Sequence, residues 1–214
     1  MKEKDPNTIT MKSSWSECTM EDFFQLDELM SSTEILPEVK VQHAIAILSG
    51  EDPEKIGALS MAQFNDLASH LDFLKDKPKK RIAHETLKIG PNKFKTCLDL
   101  SKLTVSQYFD FSTAIDIFNK TRDLEDLCSV FSVFIIPEGH EYNDGYDMST
   151  VQQQMKSLKV EEALAVMDFF GLLSQRYMKG MLAYFKRQMK ETQMMTPEIE
   201  EKLSNLERLL KHSL

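Results

Sequence analysis

The sequence predicts a mostly α fold: a helical bundle with one β-hairpin and a coiled-coil-like helix at the C-terminal end. Three observations predict it. Seven glycines and seven prolines in 214 residues leave few irregular turns. Apolar residues recur at three- and four-residue spacing through most of the chain. A hydroxyl side chain or a proline stands ahead of several of these periodic runs, where helices begin.

Residues 1–13 are polar and read as a free arm. Three similar phrases then place a hydroxyl four residues before an aromatic: Thr19 with Phe23, Ser60 with Phe64, Thr104 with Tyr108. Ser60 with Gln63 and Thr104 with Gln107 have the spacing of a capping box, in which each side chain bonds the other's backbone amide. The spacers between the phrases differ, so these are three helix starts under the same capping physics rather than a repeat. Between the first two, residues 39–48 form a helix that Gly50 ends, and Asp52-Pro53 opens a single turn. Residues 61–74 are amphipathic through Phe64, Leu67, Ala68, Leu71 and Leu74. A charged link with Pro78 follows.

Residues 82–89 and 94–99 alternate imperfectly around Gly90-Pro91-Asn92-Lys93, which predicts the hairpin. Two strands alone are marginal in water, so this one must lie on helices or pair again. Helices over 105–119 and 124–136 come next, the second strongly apolar and stopped by Pro137-Glu138-Gly139. After the loop 140–147, Ser149 or Thr150 caps a short helix to Leu158. The stretch from Val160 to Lys190 is the most apolar helix, with stripes through Phe169 and through Phe170, Met178, Met181 and Phe185. It is expected to run unbroken from about Glu161 and to pack on the 124–136 helix. Beyond Thr196-Pro197, Ile199, Leu203, Leu206 and Leu210 make a two-heptad seam. The organisation expected is an arm (1–13), a helical subdomain (14–78), a hairpin-plus-helix subdomain (79–191) and a terminal helix (192–214).

Composition limits the function. Hydrophobic residues make up 42% and charged residues 28%, as in ordinary globular proteins, and the net charge of -8 favours no nucleic-acid partner. No run is long and apolar enough for a bilayer span, and with no apolar segment in residues 1–7 a signal peptide is not expected. Cys18, Cys97 and Cys128 are odd in number and lack metal-ligand spacing, so reduced thiols of a cytosolic protein are expected. No nucleophile elbow, phosphate loop, HExxH or CxxC is present, and no enzyme or cofactor is expected. The loop residues His140, Glu141, Asn143, Asp144 and Asp147 could hold a hard cation, but their spacing is not that of an EF-hand. Tyr142 and Tyr146 flanking Asn143-Asp144-Gly145 read instead as a pinned turn or a contact surface. Eight of the 13 methionines follow Asp147, which makes the C-terminal third the first choice for a partner surface. The candidate partner-binding residues are Phe169, Phe170, Met178, Met181, Phe185, Ile199, Leu203, Leu206 and Leu210, with Tyr142 and Tyr146.

The segment Ser14-Trp15-Ser16-Glu17-Cys18-Thr19-Met20-Glu21-Asp22-Phe23 resembles the opening of small proteins encoded among tail genes of tailed phages. Ala46–Gly50, Leu59-Ser60-Met61, Leu100–Tyr108 and the Ile136-Pro137…Tyr142–Asp147 loop are similar to the same group, found in phages of gut Bacteroidales including crAss-like phages. The resemblance covers residues 14–190; Cys18 stands where the group has Leu or Ile. It implies a non-enzymatic morphogenesis protein, either a virion component at the head–tail neck or tail, or a tail assembly chaperone. Its partners would be other phage structural proteins or copies of itself, in the virion or the host cytoplasm. A host-directed regulatory binder is the alternative.

Overall fold

A computed structural model describes residues 9–79, 81–99, 102–168 and 204. The fold is mostly helical with a small antiparallel sheet. Its α-helices are α1 (Met20–Ser31), α2 (Pro37–Ser49), α3 (Pro53–Gly57), α4 (Met61–Ser69), α5 (Val105–Thr121), α6 (Leu124–Phe134) and α7 (Met148–Met155). Strands β1 (Thr86–Ile89), β2 (Asn92–Thr96) and β3 (Ile135–Pro137) make the sheet, in that spatial order. The chain up to Ala165 groups as one compact unit, and Val166 begins a second.

Capping sets the helix starts. Ser60 with Gln63 and Thr104 with Gln107 form the expected boxes. A third box lies at Thr19, where Asp22 takes the place of Glu or Gln: its Oδ2 accepts from Thr19 N at 2.6 Å. Gly50 ends α2 at φ 70°, a left-handed conformation that costs glycine little. The amphipathic run 61–74 divides: α4 stops at Ser69, and His70–Lys75 tighten into a 3-10 turn.

Two apolar clusters centre on α2. Cys18, Leu26, Leu29, Ala44, Leu48 and Val160 fill one; Ile45, Ala46, Ile56 and Leu67 fill the other. Of the expected polar arm, residues 9–13 are described. Met11 packs on both clusters, the Lys12 amide donates to Leu48 O at 3.0 Å, and Lys12 Nζ pairs with Asp22 at 2.6 Å. Residues far apart in sequence also meet: Met20 N donates to Leu158 O at 2.9 Å and Val160 N to Cys18 O at 3.1 Å.

Three boundaries differ from expectation. The hairpin pairs Thr86–Ile89 with Asn92–Thr96 rather than 82–89 with 94–99: Ile89 pairs directly with Asn92, so the turn is the two residues Gly90-Pro91 and the second strand begins before Phe94. The helix expected over 124–136 ends at Phe134, and Ile135 to Pro137 pair with Thr96 to Phe94 as β3. That third strand supplies the additional pairing a lone hairpin needs. Asp147, not Ser149 or Thr150, caps α7: its Oδ1 accepts from Ser149 N at 3.0 Å. Residues 160–168 are helical, as expected for the start of the long apolar helix. Its continuation to Lys190, its packing on α6 and the 199–210 seam lie outside the described residues.

Candidate docking surface

The sheet joins a buried face to a charged one. Leu87, Ile89 and Phe94 are each 3% exposed or less and point into the core. Thr86, Lys88, Lys93 and Lys95 alternate with them and are exposed. The register sets Lys88 directly opposite Lys93, and Thr86 opposite Lys95. Two ammonium groups on directly opposed residues repel. Lys93 reaches Glu138 only at 3.9 Å, and among the described residues no carboxylate pairs with Lys88 or Lys95.

The two edges of the sheet are unlike. Thr96 N donates to Glu85 O at 2.8 Å, which places Glu85, Leu87 and Ile89 as the residues bonded to β2. The amides and carbonyls of Thr86 and Lys88 therefore point away from β2, to the open side. Among the described residues no group bonds them. The opposite edge, β3, is three residues long and ends in Pro137, which has no amide to offer.

Positive charge concentrates along the sequence that leads into and through the hairpin. Residues 75–95 hold eight Lys or Arg and two acidic residues, in a chain of net charge -8. Arg81 is held in place: its Nε lies 2.6 Å from Glu161 Oε2, whose side chain is 7% exposed. Counting charge over the whole chain hides this block; a sliding count along the sequence reveals it.

The loop after β3 is tied to the helices. Tyr142 Oη donates to Asp110 Oδ2 at 2.8 Å, and burial, then the Asp110 carboxylate, raise its pKa above the phenol range. The Tyr146 ring lies edge-on to His140 at 5.7 Å, and burial raises its hydroxyl too. Both tyrosines are half-buried. Asp147 is occupied as the cap of α7, also accepting from Thr150 Oγ1 at 2.6 Å. Between β2, the start of α5 and this loop lies a cleft of about 690 Å³ with a mixed lining that includes Phe94, Thr96, Cys97, Gln107, Ile136 and Tyr142. Its thiol, Cys97, donates to the nearby Asp99 carbonyl at 3.6 Å. Phe169, Phe170, Met178, Met181, Phe185, Ile199, Leu203, Leu206 and Leu210 lie outside the described residues.

Among the described residues no helix is long and apolar enough to cross a membrane, and no three of His, Cys, Asp or Glu converge as a metal site. No family model, curated protein or solved structure matches the chain.

Proposed function

We propose that this chain is a non-enzymatic interaction protein of phage morphogenesis, acting through protein–protein contacts as a virion component of the neck or tail, or as a tail assembly chaperone. The observation that carries the interaction reading is the open β1 edge, whose Thr86 and Lys88 backbone groups have no partner among the described residues, beside exposed lysines in an acidic chain. Unpaired strand edges invite pairing with another chain. The assignment to phage assembly is supported by the likeness of residues 14–190 to proteins encoded among tail genes. The chain would then reside in the virion or, during assembly, in the host cytoplasm.

Mass spectrometry of purified particles and of gradient-separated assembly intermediates tests this. Stoichiometric chain in mature particles makes it a component. Chain found only with tail precursors makes it a chaperone. Chain bound to host proteins and absent from both fractions overturns the morphogenesis reading in favour of a host-directed regulator.

A further inference from the structure

We propose that the open edge of β1 takes an extended acidic segment of a partner protein as the next strand of the sheet, an inference that rests on the interaction role above. Backbone, face and charge agree on that occupant. Thr86 and Lys88 present their amides and carbonyls outward at alternate positions, the spacing at which an added strand bonds. A strand there sets one side-chain row beside Thr86 and Lys88 and the other beside Leu87 and Ile89. The first row meets an exposed lysine face, in which Lys88 and Lys93 oppose each other and Lys95 has no carboxylate among the described residues. The second continues a buried apolar face. The matching segment therefore alternates Asp or Glu with Val, Ile or Leu over about four residues. A carboxylate beside Lys88 and Lys93 relieves their repulsion, which gives the acidic strand an advantage that a neutral strand lacks. A second copy of β1 is disfavoured by the same charges, since it would bring its own Lys88 to this edge.

Lysine on an edge strand can also serve only to keep other strands away, and the experiment separates the two roles. The full chain is titrated with a capped peptide of alternating Glu and Val, while amide exchange is followed residue by residue. Controls are an alternating Lys and Val peptide and the Glu–Val peptide N-methylated on its bonding edge. The expected result is slowed exchange at Thr86 and Lys88, saturable binding that falls with salt, and a loss of about tenfold or more in affinity for Lys88→Glu with Lys93→Glu. The milder Lys88→Gln variant, checked for an unchanged melting temperature, serves if the double variant does not fold. Unchanged exchange at Thr86 and Lys88 at saturating peptide overturns the proposal, as does equal binding of the N-methylated peptide. Self-association of Lys88→Gln without peptide protection also overturns it and assigns the lysines to edge protection alone. These results are independent of particle proteomics: a chain present in particles but blind to the peptide loses only the strand-pairing claim.

Discussion

Asp22 Oδ2 accepts from Lys12 Nζ at 2.6 Å, from Thr19 N at 2.6 Å and from Thr19 Oγ1 at 2.9 Å. One carboxylate thus closes the capping box of α1 and anchors the segment that precedes it. The Asp22 side chain is only 10% exposed, so removing it strands both an orphan amide and a half-buried ammonium. Asp22→Ala is expected to cost about 2 kcal/mol in urea unfolding, and Lys12→Ala about 1. The double mutant should cost less than the sum of the two, because the pair is shared. Additive losses would show that Lys12 does not couple to the cap.

Two boxes with the same chemistry should differ in weight. Gln63 caps from an exposed position, whereas Gln107 is 4% exposed and its Nε2 also donates to Val133 O at 3.1 Å near the end of α6. Gln107 therefore joins the head of α5 to the tail of α6. Gln107→Leu leaves a buried carbonyl and an amide unsatisfied and should cost about 2–3 kcal/mol. Gln63→Leu, whose partners remain in water, should cost about 0.5. Equal losses in thermal unfolding would refute the bridging role.

The α5–α6 layer depends on aromatic packing. Phe134 is fully buried, its ring 4.8 Å from that of Phe111 in a tilted edge contact. Phe134→Ala should cost about 3–5 kcal/mol. Because Phe134 O also accepts from Cys97 N at 2.8 Å, the same change should raise amide exchange along β2. A loss under about 1 kcal/mol would place Phe134 outside the core.

Cys18 and Cys128 are 0% and 1% exposed. Burial pushes the Cys18 thiol up to about 11, with Asp22 adding to the shift, and the Cys128 thiol up to about 12. The folded state thus prefers the protonated thiols. Stability is unaffected below the ordinary thiol value, starts to fall as pH rises past about 9, and goes on falling until the folded values are passed. At pH 8 alkylation should reach Cys97, which is half-buried, well before the other two. Peptide mass spectrometry over a time course checks the order; early labelling of Cys128 would contradict it.

Much of the fold could be read along the chain wherever local chemistry decides it. Ser60, Thr104 and Gly50 act through neighbours three or four residues away, and they mark helix ends as expected. The Thr19 box escaped because Asp stands where the usual pattern has Glu or Gln. Strand β3 escaped for another reason. Ile135 and Ile136 extend an apolar run that already fits a helix, and a short buried strand has no period to set it apart. What makes them a strand is β2, about forty residues earlier, whose Lys95 and Thr96 they pair with. The docking surface was hidden likewise. The hairpin could be expected, but the direction of the Thr86 and Lys88 amides follows from the Glu85–Thr96 bond, and the facing of Lys88 with Lys93 from the exact two-residue turn.

Arg81 Nε and Glu161 Oε2 form an ion pair at 2.6 Å. Glu161 is 5% exposed, while Arg81 reaches it from a side chain half open to solvent. The pair holds the end of the basic link against the start of the helix at residues 160–168. Arg81→Ala leaves a buried carboxylate without its cation, the costly case, and should lose about 2–3 kcal/mol. Glu161→Gln keeps the shape but gives up the charge attraction, leaving a solvated guanidinium, and should lose about 1. Replacing both, Arg81→Met with Glu161→Leu, removes the desolvation penalty along with the attraction and should be close to neutral. The double variant also withdraws one cation from the basic block without touching the sheet. Unfolding of all three variants decides the matter: an Arg81→Ala loss no larger than that of Glu161→Gln would mean that water reaches Glu161, and the link would then be free to move independently of that helix.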